Sequence, residues 1–170
     1  MRWLAAGVFT LSACNAQQPK AADPPSPSPP HYQAVGTTYG IYVLDTVTGN
    51  AIWINGYGGA NSDYGDAVAV SGAGRIAMGG SFMNSVDFGG GALVAVNEGA
   101  FLATFDAVPT HLWSKQFSSS APSQFNTSSI AFGPIGEVVA GGQFGGTVDF
   151  GQGPLTAGGG ATAFLVRVAP

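Results

Sequence analysis

The chain has 170 residues, of which 8% are charged, 45% are hydrophobic and 27 are glycine, and its net charge is −4. That much apolar content excludes a chain disordered over its whole length. After position 30 the only basic residues are Arg75, Lys115 and Arg167, so there is no basic patch and no nucleic-acid partner is expected. Cys14 is the single cysteine, which rules out an internal disulfide.

Residues 1–14 read MRWLAAGVFTLSAC, a positive start followed by an apolar run too short to span a bilayer as a mature helix. With Leu11-Ser12-Ala13-Cys14 at its end, the segment resembles a bacterial lipoprotein signal with its lipobox. The resemblance implies a signal peptide over 1–13, cleavage between Ala13 and Cys14, and acylation of Cys14, palmitate included. The membrane is then a partner through the lipid anchor. Each buried methylene contributes about 0.8 kcal/mol, so several acyl chains hold firmly where one alone does not. Asn15, where an Asp would signal retention in the inner membrane, implies by the same resemblance a cell-envelope protein lipid-anchored in the outer membrane.

Residues 14–38 are expected to form a flexible linker headed by the lipidated Cys. Six of the eleven prolines lie between Pro19 and Pro30, which excludes helix and central strand there. Extended polyproline II at about 3.1 Å per residue makes such a segment a semi-rigid spacer that holds the folded region off the membrane.

From Tyr39 the sequence alternates strand and turn. Ile41–Asp45 and Ala51–Asn55 flank Thr-Gly-Asn, and Ala67–Ser71 and Arg75–Gly79 flank Gly72-Ala73-Gly74. A Gly-rich excursion comes next, through Val86–Gly91 and Leu93–Val96, and Phe101–Asp106 then pairs with Leu112–Phe117 across Pro109-Thr110. The order restarts with Ser129–Phe132, Glu137–Ala140, Thr147–Phe150 and Ala163–Val168. No helical period of 3.6 is sustained after the signal.

The restart is a repeat. GRIAMGGSFMNSVDFG at 74–89 recurs as GEVVAGGQFGGTVDFG at 136–151, 62 positions later, with eight of sixteen positions identical. Self-similarity at a fixed period marks units that bury their apolar faces on one another. One unit contains four short antiparallel strands, which is the composition of a propeller blade. AVAVSGAGRIAMGGSF, the VDFGGG and VDFGQGPLTAGGG segments, the AFLATFD and AFLVRV strands, and Trp53 and Trp113 in the closing strands resemble the bacterial seven-bladed β-propeller repeat family. The likeness covers nearly all of residues 39–168 and implies an all-β fold. It departs from the family at Ser71 and Gly133, where an Asp is common.

The expected repeat region, 39–170, comprises a partial blade at 39–57, a full blade at 66–117 and an incomplete blade at 128–168. These amount to about two four-stranded blades, an incomplete β-propeller. A closed ring takes 4–8 blades. The open blade edges are templates for self-association with a second copy, and the alternative, which the small shared core favours, is a monomer whose partial sheet buries what it can. A further alternative is a truncated or degenerate fragment of a longer propeller protein with a structural role.

Few residues form constellations with chemical potential. Asn61, Asp63 and Asp66 place oxygens in one loop, faintly like a calcium site, but without a bidentate Glu at its end. Asp87 and Asp149, equivalent in the two VDFG segments, fit a turn role better than ligand binding. His31 and His111 are too far apart for a metal site, and the serine runs have no neighbouring His. A tryptophan recurring once per blade is expected to pack between sheets. The expected function is therefore a non-catalytic, membrane-anchored binding module for protein or glycan, without cofactor or metal.

Overall fold

The computed structural model describes residues 32–169, apart from 38–39, 46–47, 49, 60, 109 and 121–124. The signal peptide, Ala13, Cys14 and the linker up to residue 31 lie outside the described residues. The described residues contain no helix, as the missing 3.6 period leads one to expect.

Among the described residues three antiparallel sheets of three or four strands succeed one another along the chain, with a fourth, two-stranded one beside the last. The first holds β1 (Tyr32–Thr37), β2 (Gly40–Asp45) and β3 (Ala51–Asn55), in that order. The second is β4 (Tyr64–Val70), β5 (Ile76–Asp87), β6 (Ala92–Phe105) and β7 (His111–Ser118), the four-stranded unit read from the sequence. In the third, β9 (Val138–Phe144) lies between β8 (Asn126–Phe132) and β12 (Thr162–Val168), while β10 (Thr147–Asp149) and β11 (Pro154–Thr156) form a separate hairpin. β1 packs on β4, and both β4 and β5 pack on β8, so the sheets stack in chain order. The sheets do not close on themselves, which makes this an all-β, incomplete propeller-like fold.

Two boundaries differ from the sequence reading. The expected linker runs to residue 38 and the expected first unit has two strands, yet Tyr32–Thr37 already pairs with β2, from Tyr32↔Asp45 to Thr37↔Gly40. The edge of β2 offers unpaired backbone groups, and the nearest extended segment satisfies them whatever its side chains. The Gly-rich excursion also takes two forms. In the second sheet it prolongs β5 and β6 past a bulge between Met83 and Ser85, whereas in the third it detaches as β10 and β11.

The middle sheet is covered on both faces. Residues 76–82 of β5 are all buried. Ile76, Met78 and Phe82 point into a cluster with Val86, Phe88, Phe101 and Phe105, against which Tyr57 from the segment after β3 packs. Ala77 points the opposite way, into a cluster with Leu102, Phe117, Val138, Phe144 and Val148 shared with the third sheet. Within each unit the aromatics repeat their geometry. Phe88 lies 4.5 Å from Phe101 and Phe150 lies 4.8 Å from Phe164, between ring centroids. Burying a side chain of this size contributes roughly 2–3 kcal/mol.

The repeated Gly-Gly pair has a steric cause. β4 and β8 carry a bulge at the same repeat position, between Gly65 and Ala67 and between Thr127 and Ser129. A bulge bends its strand and increases the local twist. Here it presses the Tyr64 carbonyl onto Gly80 and the Asn126 carbonyl onto Gly142, so a methyl group on either glycine would overlap that oxygen. Gly80→Ala is expected to lower stability by about 3 kcal/mol in denaturant unfolding, since only backbone movement relieves the overlap. Gly72→Ala, where nothing lies within 4 Å, is expected to stay within about 0.5 kcal/mol of the parent.

Candidate functional site

Most of the acidic side chains are engaged by the chain's own backbone. Gly89 and Gly91 N–H donate to Asp87 Oδ1 at 2.7 and 3.1 Å, and Gly151 and Gly153 N–H donate to Asp149 Oδ1 at 2.6 and 3.0 Å. These are the turns expected of the two VDFG segments, and the glycines concerned have φ near +100°. Thr110 N–H donates to Asp106 Oδ1 at 3.0 Å.

The residues of the 61–66 loop do not converge. Asp63 accepts Gly59 N–H at 2.6 Å and Met83 N–H at 3.1 Å, one bond on each oxygen, which pins the loop to β5. Asp66 turns to a different cleft, beside Glu98, Ser81 and Asn126. Asn61 is exposed. Among the described residues no group of three or more His, Cys, Asp or Glu side chains is arranged to hold a metal ion. Asp66 is the bulge residue of β4, and Thr127 N–H donates to its Oδ2 over a long 3.4 Å. Partial burial of its carboxyl raises its pKa above the usual aspartate value; the Thr127 N–H opposes that rise and the Glu98 charge adds to it.

The aromatics divide. Tyr57 belongs to the first core cluster, where Asn55 donates to its hydroxyl at 3.1 Å while burial pushes the phenol up. His111 packs edge-on against Phe105, with Nε2 buried and unpartnered. The Trp53 side chain lies outside the described residues. Trp113 is half-buried, against the second cluster and at the edge of a cleft.

That cleft brings a cation, a hydroxyl-bearing side chain and an aromatic ring together. It has a volume of about 160 Å³ and is lined by Arg75, Thr104, Leu112, Trp113, Phe132 and Gly136. It opens into a wider cleft of about 750 Å³ between the β4–β5 and β8–β9 hairpins, with Arg75, Phe132 and Gly136 lining both. Strand register explains why these side chains meet. Thr104 pairs with Ala77 on one side and Trp113 on the other, and Arg75 lies two residues before Ala77, so all share the face turned toward the third sheet. Thr104 is 2% exposed, yet its Oγ1 makes no hydrogen bond. Among the described residues Arg75 forms no ion pair, and its guanidinium lies beside Gly136.

The equivalent place in the third sheet is filled from within. Glu137 stands where Arg75 stands, and Arg167, paired with Val139, stands where Thr104 stands. Glu137 is buried. It accepts Ile135 N–H at 3.0 Å, occupies the space above Gly133, and lies 3.9 Å from Arg167. At the matching turn of the second sheet, Ser71 Oγ instead accepts Arg75 N–H at 2.9 Å. Sequence reasoning missed Arg75 and Thr104. The available signal was the charge reversal from Arg75 to Glu137 inside the most similar stretch of the repeat. The chain matches no protein-family model and no curated protein.

Two outcomes are expected. Thr104→Val, which removes an unpaired buried hydroxyl at nearly constant volume, should raise unfolding stability by about 1 kcal/mol in guanidinium titrations. For Asp66, a raised folded pKa means that its protonated form favours the fold, and that this contribution is lost as pH rises through the folded pKa. Asp66→Asn should therefore melt above the parent at neutral pH. The difference should shrink as pH falls through the window just above the ordinary aspartate range, as thermal melts across pH would show.

Proposed function

We propose that the protein is a lipid-anchored, non-catalytic component of the bacterial cell envelope that displays a propeller-like repeat unit as a binding module for protein or glycan. The observation that carries this reading is the contrast between two equivalent places in the repeat. The carboxylates of Asp63, Asp87, Asp149 and Glu137 bond the chain's own backbone, as structural groups do. The face around Arg75 and Thr104 keeps a cation and an unsatisfied hydroxyl beside an open cleft. Unsatisfied buried polar groups in a cleft with apolar walls are characteristic of binding sites.

Anchoring rests on the resemblance of Leu11-Ser12-Ala13-Cys14 to a lipobox, with Asn15 favouring the outer membrane. The Pro-rich segment after Cys14 acts as a spacer between the lipid and the sheets. Self-association belongs to the same proposal. Among the described residues β12 pairs only with β9, and Leu165 on β12 is 79% exposed, so a strand like β7 from a second copy would find both a backbone edge and apolar contact.

Labelled palmitate is expected to enter the full chain in cells and to be absent from Cys14→Ala, which should leave the membrane fraction. On an array of glycans and envelope proteins the purified full chain is expected to retain a defined subset. Uniform failure to bind, or turnover of a hydrolase substrate that a repeat-region substitution abolishes, would remove the binding-module reading.

A further inference from the structure

We propose that Arg75, Thr104 and Trp113 form a recognition site for a carboxylated sugar, a uronic acid unit of an acidic glycan. The proposal rests on the binding-module reading and gives that module its site and ligand class.

The repeat itself indicates which group is missing. In the third sheet a cation, Arg167, stands on β12 and is answered by the carboxylate of Glu137 at the start of β9. The second sheet inverts the order. The cation, Arg75, stands at the start of β5, and the position equivalent to Arg167 holds the hydroxyl of Thr104. Asp106, which the register sets opposite Arg75, accepts Thr110 N–H and forms no ion pair with that arginine. No described carboxylate pairs with Arg75. A carboxylate brought by a ligand would complete in the second sheet the pairing that the third sheet makes internally. The planar guanidinium, with its fork of N–H donors, suits a carboxylate bidentately.

Two further groups narrow the ligand. Thr104 lines the same cleft, its Oγ1 is buried without a partner, and a hydroxyl both donates and accepts. It therefore fits a ligand that carries a hydroxyl near its carboxylate. Trp113 adds a half-buried aromatic surface, with Leu112 and Phe132 completing an apolar wall. Such a surface takes the C–H face of a ring. A uronic acid carries a carboxylate, neighbouring hydroxyls and a C–H face on one ring. An acidic peptide side chain offers the carboxylate without the other two. The 160 Å³ cleft would take the acidic ring, and the 750 Å³ cleft beyond it leaves room for the chain to continue.

The test uses the purified full chain in calorimetric titrations with oligogalacturonate, the matching neutral oligosaccharide and an Asp/Glu-rich peptide. Saturable binding of oligogalacturonate is expected, with the neutral sugar and the peptide weaker by about tenfold or more. Arg75→Gln should weaken oligogalacturonate binding by about tenfold, and Arg75→Glu should abolish it. Thr104→Val, expected to fold at least as well as the parent, should weaken it by about threefold, which separates loss of the hydroxyl from loss of the fold. Oligogalacturonate binding that Arg75→Gln leaves unchanged would overturn this site and leave the binding module standing. Preference for the acidic peptide would overturn the saccharide assignment. Binding of none of the three would overturn the proposal, while retention of other ligands on the array would still preserve the broader reading.

Discussion

One phenylalanine per unit returns onto its own sheet, and this contact holds the array together. In both VDFG segments a single aspartate oxygen collects two backbone N–H groups, and the turn so formed sends Phe88 back toward Phe101 and Phe150 back toward Phe164. Phe88 also meets Tyr57, and Phe150 also meets Phe117 and Phe125. Each ring therefore joins its own sheet to the segment that precedes it in the chain. These wedges add to the side-chain cluster that Ala77 and Leu102 of the second sheet share with Val138 and Phe144 of the third. With them, each unit is held to the one before it, as a repeat array requires.

The same wedge has different surroundings in the two units, and the difference is physical. In the second sheet the excursion stays in register with β5 and β6, which become long strands. In the third it leaves as β10 and β11, and Ser119 at the end of β7 bridges to Val148. Ser120 N–H donates to the Thr147 carbonyl at 3.1 Å, and Thr147 N–H donates to Ser120 Oγ at 2.9 Å. The third unit thus grips the outer strand of the second. Its β8–β9 hairpin packs on β4 and β5, and the turn ends of the two hairpins leave between them the cleft with Arg75 on its wall and Thr104 in its narrower part.

A repeat holds its architecture with identical residues and differentiates its surface with the others. Gly80 and Gly142 are identical because a bulge in each inner strand leaves no room for a side chain. Arg75 and Glu137 precede those glycines at equivalent hairpin ends, where the local backbone accepts either charge. Each has a different fate. Glu137 finds a backbone donor and a cation within its own unit, whereas Arg75 faces the cleft.

The repeat unit, its strands and its turns were legible in the sequence because they depend on local periodicity. Residues such as Asp87 and Asp149 make bonds that reach only two to four positions along the chain. The all-β class and the four-stranded middle sheet came from the same short-range signals. Three things were decided by tertiary contacts alone. Tyr32–Thr37 became a strand because the edge of β2 was available, which its own side chains do not announce. The 61–66 loop failed to gather its oxygens because Asp63 was captured by Met83 N–H, twenty positions away, and Asp66 turned to Thr127, sixty-one positions away. The candidate site emerged where β5, β6, β7 and the end of β8 set Arg75, Thr104, Trp113 and Phe132 side by side. Those contacts join different strands and different sheets, and neither periodicity nor spacing encodes which faces will meet.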